Sequence, residues 1–173
     1  MKKILIVIDM QNDFIDGALG TPEAQAIVPN VIEKVKNWEG LMVFTYDTHF
    51  DDYMESLEGQ KLPVPHCIIG TQGWSINSKL KEVIKPNTIT IDKLTFGFEG
   101  WRQALGEFGR DAEFELCGLC TDICVVSNAL ALRMFYPDAV ITVDASCCAG
   151  VTPEKHKAAL EVMKSCQIEV IGE

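Results

Sequence analysis

The turn Gly118-Leu119-Cys120-Thr121-Asp122-Ile123-Cys124 closes an apolar run and opens a helical pattern, with a thiol just inside the helix. Thr121 has the residue type of an N-cap, so Cys124 falls three residues into the helix. Unpaired amides and the helix dipole at such a place favour thiolate, drawing a thiol pKa from about 8.5 into the range of roughly 3.5 to 7.5. A cation would add to this, and Lys93 follows another apolar run. Asp9 follows a third, where it could take the thiol proton and return it to a leaving group. The chemistry these residues spell is nucleophilic attack by sulfur. The bland alternative is that Cys124 is a small buried hydrophobe.

A second constellation uses the scarce histidines, three in all. Asp47-x-His49 puts two donors on one face of a strand end. His66 comes from the Pro65-His66-Cys67 corner, and Glu55 or Glu58 could supply a fourth ligand. This nitrogen and oxygen set suits zinc, iron or manganese, with remaining positions left to water or substrate. His156, on a late helix, reads as a surface residue. Cys117, Cys120 and Cys124 form C-x2-C-x3-C, an alternative zinc or iron–sulfur ligand set and the basis for reading the chain as a non-catalytic metal or redox module. No second C-x2-C accompanies it, and the adjacent pair Cys147-Cys148 suits a shared tetrahedral site poorly. Cys67 and Cys166 read as structural or incidental.

These groups stand where they do because of the elements before them. Apolar runs at 4–8, 41–46, 88–91, 113–117, 139–143 and 168–171 are continuous rather than alternating, as in strands buried on both faces of a parallel sheet. Helical patterns at 26–38, 101–108, 121–135 and 153–165 lie between them. The β-α alternation predicts an α/β, three-layer doubly wound, mostly parallel sheet of about six strands. In such a sheet ligands bind beyond the carboxyl ends of the strands. Asp9, Asp47 with His49, Lys93 and the Gly118–Cys124 turn all follow strand ends, so they converge on one edge. The irregular stretch 47–73 is long enough to be functional.

The 173 residues fit one domain, 1–173, and 47% hydrophobic composition can fill its core. A net charge of −10 argues against nucleic acid or an anionic membrane as partner. No apolar stretch approaches the roughly 18 residues that span a bilayer. Seven cysteines, an odd number with no secretory leader ahead of them, point to reduced thiols in the cytoplasm. A nucleotide-binding domain is disfavoured because Asp9-Met10-Gln11, and no glycine-rich loop, follows the first strand.

Five blocks in this order resemble the nicotinamidase/isochorismatase-like cysteine hydrolases: Ile8-Asp9-Met10-Gln11-Asn12-Asp13-Phe14, Asp47-Thr48-His49, the run Pro65 to Thr71, Ile91-Asp92-Lys93, and Gly118 to Val125. The resemblance implies the isochorismatase-like hydrolase fold, a triad of Asp9, Lys93 and Cys124, a cis peptide at Leu119-Cys120, and an oxyanion hole from the amides of Cys120 and Cys124. It implies hydrolysis of a small carboxamide, nicotinamide foremost, through a thioester, with another amide or a ureido compound as the variant. It further implies metal ligands Asp47, His49, Glu58 and His66, zinc being the first candidate, and a homo-oligomer. The chain departs from the nicotinamidase pattern at Thr48, where an aromatic residue is common, and at Leu62-Pro63-Val64, where a tryptophan is common. Walls for an aromatic substrate are then expected from Phe14, Phe96 or Trp74.

Overall fold

The computed structural model describes residues 2–109 and 111–173. Six strands, β1 (Lys2–Ile8), β2 (Leu41–Asp47), β3 (Ile89–Lys93), β4 (Ala112–Leu119), β5 (Val140–Ala149) and β6 (Glu169–Ile171), form one sheet in the order β3-β2-β1-β4-β5-β6. Every pairing is parallel. Ile4 to Ile8 of the central strand are completely buried, which is why their sequence shows no alternation. Each such side chain contributes about 1.5–3 kcal/mol by leaving water.

Helices α1 (Asn12–Ile15), α2 (Pro22–Asn37), α3 (Leu57–Lys61), α4 (Ser78–Lys81), α5 (Trp101–Leu105), α6 (Val126–Phe135) and α7 (Pro153–Ser165) connect the strands. One group, α1, α2 and α4, packs together, as does a second group of α5, α6 and α7, with the sheet between. Helix α2 begins four residues before the predicted start, because Thr21 accepts the Ala24 N–H at 3.0 Å and Pro22 takes the first helical position. The predicted 101–108 helix stops at Leu105, where Gly106 turns to φ +50° and a 3₁₀ turn follows. Strand β5 runs six residues past the predicted end at Val143, through the polar Asp144 and Ser146. Within the irregular 47–73 stretch, Ser56 caps the short helix α3 by accepting the Gly59 N–H at 2.9 Å.

The strand order reverses between β1 and β4, the place where open α/β sheets hold ligands. In register, Ile8 lies beside Gly118 and Asp47 beside Lys93. Gly118 has φ +117°, and a Cβ there would sit 2.1 Å from the Ile8 carbonyl oxygen, so only glycine lets β4 close on β1 at this level. Asp9, next along β1, sits at φ +46°, an uncommon conformation for a non-glycine residue.

Candidate active site and metal centre

The expected convergence is present at the carboxyl edge. Lys93 is 1% exposed, and its Nζ lies 2.6 Å from Asp9 Oδ2, 3.4 Å from Cys124 Sγ, 3.4 Å from Asp47 Oδ1 and 3.3 Å from the Thr95 carbonyl oxygen. Thr45 donates its hydroxyl to Asp9 Oδ1 at 2.6 Å, and Oδ2 faces the Lys93 ammonium. Burial pushes the Asp9 carboxyl above its ordinary pKa against the pull of Lys93, which makes it a stronger base. Burial works against the Lys93 ammonium, but the carboxylates of Asp9 and Asp47 outweigh it and hold the lysine charged.

The thiol departs from expectation. Burial, reinforced by Asp9, lifts the Cys124 pKa well above that of a free thiol, and Lys93 only partly offsets the rise. Burial thus favours the protonated thiol, so attack by this sulfur would need a base beside it, and Asp9 is the carboxylate in place. The helix start also differs from the predicted cap. Thr121–Val125 is a π turn preceded by Cys120, whose side chain does not cap it. The Thr121 hydroxyl instead meets His156 Nδ1 at 2.7 Å, which makes His156 a half-buried partner of the turn and not a surface residue. Asp122 faces away from the thiol and accepts the Val151 N–H at 2.9 Å. The peptide bond Leu119-Cys120 is cis.

Asp47, His49, Glu58 and His66 each offer a ligand atom within 4.8 Å of the others. His49 Nε2 lies 3.1 Å from Asp47 Oδ2, His66 Nε2 3.6 Å from the same oxygen, and both imidazoles 3.7 Å from Glu58 Oε1. Donors about 2.1 Å from one centre stand roughly 3.0–3.5 Å apart along a polyhedron edge; the Asp47–His49 pair falls in that range and the other three pairs just outside it, so a small side-chain contraction would bring the four round a divalent cation. His66 Nδ1 bonds the Val64 carbonyl at 2.8 Å, which turns Nε2 toward the group. Burial opposes the Asp47 charge, but His49, His66 and Lys93 keep its pKa below the ordinary value. Glu58, from the first turn of α3, is the second acidic member beside Asp47, and Glu55 is not part of the group. Cys117, Cys120 and Cys124 form no such group among the described residues; all three carry free thiols, and Cys117 is buried in β4.

Above these groups opens a cavity of about 500 Å³. Asp47, Glu58, His66, Cys120 and Cys124 give it a polar floor; Phe14, Leu19, Leu57, Leu62, Leu94, Phe96 and Ile123 give it apolar walls. Phe14 and Phe96 thus line it as expected, Phe14 with its ring 5.5 Å from that of His66 and Phe96 45% exposed at the mouth. Trp74 does not line it, because its indole N–H bonds Thr48 Oγ1 at 2.9 Å and its ring lies against Tyr46.

Three buried supports escaped the sequence reading. Gln11 clamps the main chain of Asp47 from both sides, accepting its N–H and donating to its carbonyl, each at 2.8 Å. Asn128 donates to the carbonyls of Cys124 at 2.8 Å and Phe96 at 3.0 Å, tying the nucleophile's helix to the cavity wall. Thr45 holds Asp9. The available signal was a hydroxyl or amide inside an otherwise apolar run, since a buried polar group needs a partner.

A doubly wound α/β chain with a thiol, carboxylate and ammonium in mutual reach beside a metal-ligand group defines a cysteine-hydrolase type of enzyme. The isochorismatase domain family matches residues 3–172, and the chain belongs to that family. It is 29% identical to the nicotinamidase/pyrazinamidase of Mycobacterium tuberculosis, over 98% of each chain. Its backbone resembles the crystal structure of nicotinamidase/pyrazinamidase from Bacillus subtilis (TM-score 0.83, 29% identity, 98% of this chain and 99% of that one). It likewise resembles pyrazinamidase of Pyrococcus horikoshii in complex with zinc (TM-score 0.82, 27% identity, 100% of both). No helix among the described residues is long and apolar enough to cross a membrane.

Proposed function

We propose that residues 1–173 act as one catalytic domain, a metal-assisted cysteine amidohydrolase that converts nicotinamide to nicotinate and ammonia. The observation that carries this reading is the contact of Lys93 Nζ with both Asp9 Oδ2 (2.6 Å) and Cys124 Sγ (3.4 Å) at the floor of an aromatic-walled cavity.

Asp9 takes the proton of Cys124 as the sulfur forms a bond to the carboxamide carbon. Lys93 stays charged and stabilises the negative charge passing between carboxylate and sulfur. The amide N–H groups of Cys120 and Cys124 hold the tetrahedral oxyanion, each worth about 3–4 kcal/mol in such reactions. The proton on Asp9 passes to the leaving nitrogen, the C–N bond breaks and ammonia departs. Water then adds to the thioester and gives one proton to Asp9; the C–S bond breaks, Asp9 returns that proton to the leaving sulfur, and the thiol and the carboxylic acid are formed. Asp47, His49, Glu58 and His66 would hold the divalent cation, with zinc favoured by its presence in the Pyrococcus horikoshii relative. When bound, that cation supplies a Lewis acid for the pyridine nitrogen and so orients the ring. Phe14 and Phe96 flank the ring.

Seven free thiols suit the reducing cytoplasm, and family resemblance supports an assembly of identical copies. Ammonia release from nicotinamide, pyrazinamide and a panel of ureido acids tests the substrate. Cys124→Ala should lower turnover at least about a thousandfold. Chelation should raise KM for nicotinamide while leaving alkylation of Cys124 by iodoacetamide unchanged. A Cys124→Ala protein that keeps most of its activity overturns the mechanism.

A further inference from the structure

Asp13 Oδ2 accepts the Cys67 N–H at 2.8 Å, a bond that spans 54 residues. That N–H belongs to the peptide group joining His66 to Cys67. The next carbonyl, that of Cys67, accepts the His49 N–H at 3.0 Å, and the His49 carbonyl accepts the Ile69 N–H at 2.9 Å. Both imidazoles of the ligand group therefore hang from main chain that meets at Cys67. This residue is completely buried and stands at φ +47°, an uncommon conformation for a residue with a side chain, which persists only where the surroundings hold it.

We propose that Asp13 is a positioning residue: acting through Cys67, it fixes where His66 and His49 stand and so sets how tightly the ligand group holds zinc. The inference rests on the metal-binding role proposed above. The carboxylate is itself held in place. Asp13 donates its N–H to the Gly73 carbonyl at 3.0 Å, its own carbonyl accepts the Leu19 N–H at 2.8 Å, and Oδ1 accepts the Ala18 N–H at 3.3 Å. A Cβ on Gly73 would lie 2.1 Å from Oδ2, so a side chain there would displace the carboxylate. Phe14, the next residue, sets its ring 5.5 Å from that of His66, so the same turn supports the imidazole from a second side. Asp47 and Glu58 are anchored separately, by Gln11 and within α3. Loss of the Asp13 bond thus loosens the two imidazoles and leaves the two carboxylates where they are.

The test measures zinc affinity of the full-length wild type, Asp13→Ala and Asp13→Asn by competition with a chromophoric chelator, beside the melting midpoint of each metal-free protein. Asp13→Ala should bind zinc about 10- to 100-fold more weakly, the usual cost of removing a group that orients a ligand. Asp13→Asn keeps an oxygen for the Cys67 N–H and loses only the charge, so it should stay within about fivefold of wild type, the scale of a partly exposed charge. Asp13→Ser, whose oxygen stops short of that N–H, should match Asp13→Ala and replaces it if the alanine variant does not fold. A merely structural Asp13 would lower the melting midpoint and leave the zinc affinity of the folded protein unchanged. Zinc affinity within about fivefold of wild type in Asp13→Ala or Asp13→Ser, or an Asp13→Asn protein as weak as they are, overturns the inference. Crystal structures of metal-free wild type and Asp13→Ala or Asp13→Ser decide it even if the wild type binds no cation, in which case that failure lies with the function proposed above. His66 Nε2 should then stand displaced from Asp47 Oδ2 by about 1 Å or more, the scale at which a site becomes too loose, and an unmoved imidazole overturns the inference.

Discussion

Replacing Lys93 by Met isolates what the buried ammonium does, because methionine keeps much of the volume and removes only the charge. In the native protein this ammonium is the cation 2.6 Å from the fully buried Asp9 carboxylate. Breaking a buried pair by removing one partner costs about 3–5 kcal/mol, since the other charge is left without compensation. For a chain of this size each kcal/mol moves the melting midpoint by about 2–4 °C, so Lys93→Met should melt roughly 6–20 °C lower. The same change removes the one influence that lowers the Cys124 pKa among Asp9, Asp47 and burial, so the thiol moves further up. Each additional pKa unit leaves tenfold less thiolate. Iodoacetamide alkylation of Cys124, followed by mass spectrometry at pH 8, should slow at least about tenfold. Adding Asp9→Asn to Lys93→Met removes the orphaned charge, and the double variant should regain most of the lost stability while remaining inactive, a non-additivity typical of residues in contact. A Lys93→Met protein that melts within about 2 °C of wild type and alkylates at the wild-type rate would refute the reasoning.

Gly118→Ala places a methyl 2.1 Å from the Ile8 carbonyl at φ +117°; it should cost at least about 2 kcal/mol, read by chemical denaturation, and should lower kcat because Asp9 and Cys124 move apart with their strands. Asp144 pairs with Lys34 at 2.7 Å and accepts the Ser146 hydroxyl at 2.6 Å; burial opposes its charge, but these partners hold its pKa below the ordinary carboxylate value. A depressed carboxylate contributes stability above its unfolded pKa of about 3.9 and loses it as pH falls through the folded value. Between about pH 5 and pH 2 the wild-type melting midpoint should therefore fall more steeply than that of Asp144→Asn, and equal slopes would remove the assigned role.

The edge of the sheet was legible because strands of a buried parallel sheet are rich in β-branched and apolar residues, and the ionisable residues within two or three positions after each run mark its carboxyl end. Asp9, Asp47, Lys93 and the Gly118 turn could be gathered in this way with no knowledge of tertiary contacts. Strand β5 was cut short by the same rule, since Asp144 and Ser146 interrupt the run while Lys34 and Asp144 satisfy each other across α2 and β5. The Thr121 cap failed for a related reason. Capping preference is local, whereas the partner that takes the hydroxyl, His156, arrives from another helix. The thiol's pKa was misjudged because a helix terminus is visible in sequence and complete burial of one particular cysteine is not. Gln11 and Asn128 act through paired hydrogen bonds to distant main chain, and only the folded register supplies their partners.

Asp47 shows how that register binds the two halves of the site into one. The β2–β3 pairing sets it directly beside Lys93, so Oδ1 faces the ammonium at 3.4 Å while Oδ2 faces His49 and His66. One carboxylate therefore meets the cation of the nucleophilic group on one side and the ligand group on the other. Gln11, two residues beyond Asp9, fixes the main chain of Asp47 through both its N–H and its carbonyl, so the base and the shared carboxylate are held by a single stretch leaving β1. A one-residue slip of β2 against β1 would turn Asp47 to the opposite face. It would withdraw a candidate ligand, an ion-pair partner of Lys93 and the anchor of Gln11 together. Nucleophile and ligand group are thus linked through strand register itself.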